Sequence, residues 1–287
     1  MSHVPAFFSS YQQRVDEVLK QLVVPDRGPV DRAMAYSVFA PSKRVRPVLT
    51  QLAAELCGGS AARALAAAAA VELVHTSSLI LDDLPAMDDA AIRRGRAANH
   101  VEFGEALAIL AAFGLLNLAY GAVARSYEPM LSVRLAQLLD DALGKDGLIA
   151  GQAADLLATE QEIDFELLER IHRGKTGALF NASAVAGALV AGADSDSIAA
   201  LSAFAKNLGL AFQVIDDLLD VEGDPAETGK ATRKDARKTT FVSFSGVAGA
   251  HQLASELCLT ADRALAPFGR RADRLRELSA FVAGRSV

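Results

Sequence analysis

No stretch of this chain alternates apolar and polar residues well enough to make a convincing strand. Alanine and leucine dominate and β-branched runs are scarce, a composition that favours helix over sheet. The apolar periodicity predicts helices over 8–23, 46–57, 61–83, 101–125, 130–143, 147–160, 164–191, 195–221, 239–246, 249–266 and 270–283. Gly58-Gly59 stops the second of these, and Pro85 ends the third. The expected fold is therefore all-α. A chain of 287 residues buries about 73% of its unfolded surface, ample for a core without disulfides or metal staples. Length alone suggests two domains, but no Gly/Ser/Pro linker divides the chain, so one helical domain over 1–287 is expected.

The charge balance narrows the partners. With 29 Lys+Arg against 35 Asp+Glu, the net charge is −6. A nucleic-acid binder needs a broad positive surface, so nucleic acid is not an expected partner. Any anionic ligand must be held by a local basic cluster. Cys57 and Cys258 form no metal or redox spacing and read as buried thiols in a reducing cytoplasm. The polar N-terminus is not expected to be a signal peptide, and the apolar run 61–73 is too short to insert stably in a bilayer.

Two of the long helices end in aspartates. The first cluster is Asp82-Asp83-Leu84-Pro85-Ala86-Met87-Asp88-Asp89, and the second is Asp216-Asp217-Leu218-Leu219-Asp220. Asp216 and Asp220 share one helix face at i and i+4. In the first cluster the helix must break before Asp88, so a turn is expected to carry that carboxylate back toward Asp82. Helix C-termini already present partial negative charge, so carboxylates crowded there repel the dipole and each other. Solvated helix ends are the plain alternative; two such clusters after strongly apolar runs argue against it. Hard oxygen ligands of this kind suit Mg²⁺, which often bridges carboxylates to substrate phosphates. Neither an EF-hand spacing nor a P-loop is present.

Basic residues complete the pattern. Lys43-Arg44-Val45-Arg46-Pro47 opens a helix, with Pro47 in its first turn. Arg93-Arg94-Gly95-Arg96 begins five residues beyond Asp88. Arg173 and Lys175-Thr176 lie inside a mostly apolar helix, and Lys230, Arg233, Lys234, Arg237 and Lys238 follow the second aspartate cluster. Arginine binds phosphate bidentately and lysine acts as a point charge. Together these residues imply one diphosphate held by metal and a second held by Arg and Lys directly. His75 sits two turns before Asp82 on the same face; it is either a satisfied core residue or a phosphate donor. Gln213 lies one turn before Asp216, where its amide oxygen could face a developing cation.

These motifs, in this order, resemble those of the trans-isoprenyl diphosphate synthases, or polyprenyl synthetases. The resemblance runs from Lys43 to Gly246 and includes Val-Glu-Leu-Val-His at 71–75, Gly-Gln at 151–152, Lys-Thr-Gly-Ala-Leu-Phe at 175–180 and Phe-Gln-Val-Ile-Asp-Asp-Leu-Leu-Asp at 212–220. It implies a bundle of long helices around a central active-site cavity, the isoprenoid synthase type I fold, assembled as a homodimer. The implied reaction joins isopentenyl diphosphate to an allylic diphosphate (dimethylallyl, geranyl or farnesyl) with three Mg²⁺ ions per site. Asp82, Asp88 and Asp216 would be the main ligands, supported by Asp83, Asp217 and Asp220. Arg93, Lys175 and Lys230 would hold the allylic diphosphate. Lys43, Arg46, His75 and Arg94 would hold isopentenyl diphosphate. Thr176 and Gln213 would face the allylic cation.

The chain departs from the family pattern at Pro41-Ser42, where Gly-Gly is common, at Leu81, and at Ala112-Phe113. A terpene cyclase would share the fold but has no use for Lys43, Arg46 and Arg94. A non-catalytic subunit would be expected to lose aspartates or lysines. Product length turns on the position five before the first aspartate, where a bulky aromatic stops the family's product at C15. Here Ser77 and its neighbour Ser78 are small, and Phe113 is either the floor of a deeper cavity or ordinary core. The expected product is geranylgeranyl diphosphate, with farnesyl diphosphate as the alternative.

Overall fold

The computed structural model describes residues 5–159, 161–222 and 239–284. Lys230 and the basic residues around it lie outside these. The order of helices is α1 (Phe8–Leu22), α2 (Pro29–Val38), α3 (Val45–Leu56), α4 (Ala61–Asp82), α5 (Asn99–Phe103), α6 (Glu105–Ser126), α7 (Pro129–Leu143) and α8 (Leu148–Ala158). Then follow α9 (Phe165–His172), α10 (Ala178–Ala191), α11 (Ser195–Glu222), α12 (Phe241–Ala264) and α13 (Asp273–Ala283). The all-α expectation holds, with one exception. Two-residue strands β1 (Ile92–Arg93) and β2 (Arg96–Ala97) pair antiparallel between α4 and α5.

Helix α4 is the axis of the fold. Ser60 caps it by accepting a hydrogen bond from the Arg63 amide at 3.1 Å. Ala67 to Val71, Leu73 and Val74 are all essentially inaccessible to solvent, so α4 is wrapped by neighbours. Its alanines let α6 and α10 approach closely. One core gathers α4, α6, α7 and α10, and a second gathers α3, α11, α12 and α13. Helix α10 joins them: a Cβ on Gly187 would meet the Thr50 carbonyl of α3 at 2.1 Å. By length and composition alone α4, α6 and α11 could each cross a membrane; the window in α4 is 67% buried inside the protein and that in α6 only 39%.

Three boundaries differ from the sequence reading. The short helix α2 is absent from it; its signal is Pro29 at the first helical position after Gly28. The helix expected over 101–125 breaks at Gly104, where φ is +82°. The helix expected over 164–191 contains a π-helical segment, Arg173–Gly177, between α9 and α10. A fourth feature agrees with expectation: α12 kinks at Gly246 (φ +68°), between the two helices read there, and begins with a Thr240/Ser243 capping box.

Candidate active site

The first aspartate cluster is built by the way α4 stops. Past Asp82 the chain folds back on itself: the Asp88 amide donates to the Asp82 carbonyl at 2.9 Å, and the Ala90 amide to the Asp83 carbonyl at 3.2 Å. This is the turn expected from Pro85, and it places Asp88 beside Asp82. Asp82 is only 9% exposed. Burial pushes its carboxyl up to about 6; Asp88 and Asp83 add to the rise, while Lys175 and Arg93 oppose it. Asp83 faces elsewhere. It accepts the Arg93 fork, Nε at 2.9 and 3.1 Å and Nη2 at 2.5 Å, and is 2% exposed. That ion pair anchors the β1–β2 hairpin, whose turn residues Arg94 (φ +53°) and Gly95 (φ +73°) are both left-handed, as a type I′ turn requires.

The second cluster is tied into a chain of hydrogen bonds. The Thr176 hydroxyl donates to Gln213 Oε1 at 3.0 Å, and Gln213 Nε2 donates to Asp217 Oδ1 at 2.9 Å. The other Asp217 oxygen accepts from the Phe241 amide at 2.9 Å, which fastens the start of α12. Asp217, 5% exposed, thus has both oxygens occupied, and the Gln213 oxygen expected to face a cation is turned to Thr176. Asp216 and Asp220 are half-buried, on a different side of α11 from Asp217. Among the described residues no three ligating side chains of His, Cys, Asp or Glu close into one group. The donor chemistry nevertheless fits a hard divalent cation. Asp82 is buried against a second carboxylate, at a cost that a cation on the rim would relieve.

The π segment positions the next pair. Its extra residue turns Lys175 toward α8, where Nζ meets Asp155 Oδ2 at 2.7 Å, and sets Thr176 toward Gln213. Asp155 escaped the sequence reading. Its signal was its place one turn after Gly151-Gln152. Gly151 is required for this crossing, since a Cβ there would meet the Lys175 amide nitrogen at 2.2 Å.

The remaining cations cluster where α3 meets α4. The Arg46 guanidinium stacks over Phe180 (4.6 Å) and Phe212 (5.9 Å), and its Nη1 lies 3.3 Å from His75 Nε2. A guanidinium only donates, so Nε2 accepts and the imidazole is neutral. Burial and then Arg46, Arg94, Arg93 and Arg44 hold His75 well below the ordinary histidine range. Lys43 is exposed, its Nζ 5.5 Å from the Phe281 ring of α13. Arg94 makes no hydrogen bond to the described residues and lines a small pocket with Arg93, Arg96, Thr76 and Asn99.

A match to the family model described as polyprenyl synthetase spans residues 28–256. The chain belongs to the polyprenyl synthetase family. It is 41% identical to geranylgeranyl pyrophosphate synthase 11 of Arabidopsis thaliana, over 97% of this chain and 82% of that protein. It is 40% identical to the farnesyl diphosphate synthase of Geobacillus stearothermophilus, over 87% of this chain and 86% of that one. Among solved structures, an FPP/GFPP synthase from Zymomonas mobilis superposes with a TM-score of 0.87 at 32% identity, covering 96% of this chain and 97% of that chain.

Within this synthetase the residues expected to set product length are placed differently from the sequence reading. Ser77 is 1% exposed, and its hydroxyl donates to the Ala112 carbonyl of α6 at 2.9 Å. Its smallness therefore serves the close packing of α4 on α6. The Ser78 hydroxyl donates to the His75 carbonyl at 2.9 Å. Phe113 is no cavity floor in this chain: it stands 63% exposed on the outer side of α6. The cause is helical phase. Ala112 faces α4, and the next residue is turned about 100° away from it.

Proposed function

We propose that this synthetase joins isopentenyl diphosphate to an allylic diphosphate and extends it to the C20 product, geranylgeranyl diphosphate. The observation that carries the reaction is buried Asp82, set beside exposed Asp88 and facing Lys175 and Arg93, with separate cations Arg46 and Arg94 around His75 and Lys43 on the adjoining loop. One anionic rim and two cationic groups suit two diphosphates with different fates.

Asp82, Asp88 and Asp216, with Asp220 behind them, would hold Mg²⁺, which supplies the positive charge that makes diphosphate a good leaving group. Lys175 and Arg93 bind the allylic diphosphate and stabilise the charge it gains as its C–O bond breaks. Arg46 and Arg94 hold the second diphosphate intact, so that the alkene lies over the allylic carbon. The Thr176 hydroxyl gives its proton to Gln213, so its lone pairs would remain available to a developing cation. The new C–C bond forms as the allylic C–O bond is lost, and the departed diphosphate takes the proton.

The C20 product is supported by the small side chain of Ser78 below Asp82 and the apolar residues beneath it. From Asp82 the inner face of α4 descends through Ser78 and Val74 to Val71 and Ala67, about 16 Å below in the case of Val71. There Ala67, Val71, Val123, Leu135, Leu139 and Ala186 form a closely packed apolar region that a longer tail would have to part. Product chromatography with excess isopentenyl diphosphate and each allylic starter tests the proposal. C20 is the expected main product. A wild-type protein that stops at C15 would refute the length, and one that consumes no isopentenyl diphosphate would refute the reaction.

The same reading takes the protein as a cytoplasmic homodimer. Support comes from α6, where Ile109 (37%), Leu110 (52%) and Phe113 (63%) form a contiguous exposed apolar face. A second copy of this face is the occupant we assign to it. Leu110→Arg combined with Phe113→Glu should halve the mass seen by sedimentation equilibrium; an unchanged mass would place any interface elsewhere.

A further inference from the structure

Three residues outside glycine have left-handed backbones among those described: Arg44 (φ +51°), Asp89 (φ +45°) and Arg94 (φ +53°). All three flank the site. At Arg44 the choice of side chain is costly, because glycine would adopt that backbone freely. Arginine at such a place must supply something through its side chain.

What it supplies is a buried three-way anchor. Arg44 is 5% exposed. Its Nε donates to Asp16 of α1 at 3.0 Å, its Nη1 to Glu72 of α4 at 2.6 Å, and its Nη2 to the Val38 carbonyl ending α2 at 2.5 Å. Ser42 adds to the knot: its hydroxyl lies 3.4 Å from Glu72 Oε1, and its oxygen is 3.3 Å from the Arg44 amide. Gln12 Nε2 donates to the Lys43 carbonyl at 2.8 Å. The loop between α2 and α3 is thus pinned to three helices at once. Its two neighbours of interest are Lys43, turned outward by the left-handed step, and Arg46, one turn into α3. Glu72 reaches further still. Of the charges that favour the cationic form of Arg94, it acts most strongly. One buried carboxylate therefore touches the anchor of one half of the cation group and the field at the other half.

We propose that Arg44 and Glu72, with Ser42, are positioning residues that set the geometry of the Lys43–Arg46–Arg94 group and so the affinity for the second, non-ionising diphosphate. The inference rests on the two-diphosphate reading above. Ser42 is this chain's own contribution, standing where the family often has glycine. A hydroxyl there holds the loop through its side chain, where a glycine could do so only through its backbone.

The experiment compares wild type, Arg44→Gly, Glu72→Gln and the double variant, with separate KM values for isopentenyl and allylic diphosphate. Wild-type turnover is measured first; its absence overturns the reaction, and the positioning role with it. Arg44→Gly relieves the strained backbone but removes the anchor and orphans Glu72. It should lower Tm and raise the isopentenyl diphosphate KM at least ~10-fold, on the scale of a small misplacement of binding groups. The allylic KM and kcat should stay within about 2-fold of wild type, since Lys175, Arg93 and Asp82 are held by other contacts. In the double variant the orphaned charge is gone, so Tm should recover while KM does not. That split is the signature of positioning, because a purely structural role would move both together. An isopentenyl diphosphate KM near wild type in the folded double variant, or equal rises in both KM values, overturns the proposal. Should neither Arg44 variant fold, Asp16→Asn, at the half-exposed outer prong of the anchor, decides. A selective rise in the same KM supports the role, and none refutes it.

Discussion

Asp82→Asn should abolish most activity and, in the same molecule, make the metal-free protein more stable. Both effects come from one feature. A carboxyl that titrates near 6 when folded and near 3.8 when unfolded weakens the fold by about 3 kcal/mol once both states are ionised. The sign is opposite to that of a salt-bridged aspartate. Between pH 4 and 6 the folded state holds more protons than the unfolded one, so stability falls as pH rises through that window. Asparagine has nothing to ionise and escapes this loss. In EDTA at pH 7.5 the variant should therefore melt several degrees above wild type, at roughly 2–4 °C per kcal/mol for a chain of this size class. At pH 4 the two should converge. Added Mg²⁺ should narrow the gap from the wild-type side, because only the carboxylate gains a cation. Turnover should fall at least ~10²-fold, on the scale of removing a major electrostatic stabiliser. Asp216→Asn should match that loss of turnover. Thermal melts across pH and steady-state rates with isopentenyl diphosphate check each part. A variant that melts below wild type at pH 7.5, or that turns over normally, would contradict this account of Asp82.

The ease with which Asp82 could be found in the sequence, and the difficulty of finding Asp155, have a common physical cause. Clustered aspartates at a helix C-terminus violate local electrostatics, and such a violation is visible without any knowledge of the fold. So are Arg and Lys inside an apolar helix, which is how Lys175 stood out. Asp155 breaks no local rule. It sits one turn from Gly151 in α8 and becomes notable only when the π segment brings Lys175 to it across the bundle. The same distinction separates Asp216 from Asp217. Adjacent in sequence, they share a motif, yet a helix sends them to different sides, and Asp217 meets the amide of Phe241, more than twenty residues away. Ser77 and Phe113 show where a motif-based reading goes astray. The small side chain at 77 was legible, but its partner, the Ala112 carbonyl, is a backbone atom of another helix. The phase of α6, which turns Phe113 outward, could not be read from a helix apolar on nearly every side. Of the fold, the long helices were legible because their periodicity is strong. The hairpin was not, because four paired residues around Arg94-Gly95 carry no alternation at all.

The other large effect should come from a single methyl group at Gly151. A Cβ there would lie 2.2 Å from the Lys175 amide nitrogen, 2.8 Å from the Gly174 carbonyl carbon and 2.9 Å from the Ile171 carbonyl oxygen. All three are backbone atoms, so no side chain can swing aside to make room. Gly174 offers no escape from its own side, since a Cβ on it would already meet the Gly147 carbonyl at 2.9 Å. Gly151→Ala must therefore push the π segment away from α8, and overpacking of this kind costs about 1–3 kcal/mol. The segment that moves carries Lys175 and Thr176. A displacement on the order of 1 Å in groups that stabilise the leaving diphosphate should lower kcat about 10²-fold. Loss of stability alone does not have this consequence, and Gly187 supplies the control. A Cβ on Gly187 would strike the Thr50 carbonyl at 2.1 Å, an equally hard backbone clash, but between α10 and α3 and remote from Lys175. Gly187→Ala should lose a similar increment of Tm while its folded fraction keeps kcat within a few-fold of wild type. Melting curves and kcat measured well below both transitions separate the two. If Gly151→Ala is merely less stable and retains its kcat, then the π segment does not set the reacting geometry, and Lys175 must be held in place by Asp155 alone.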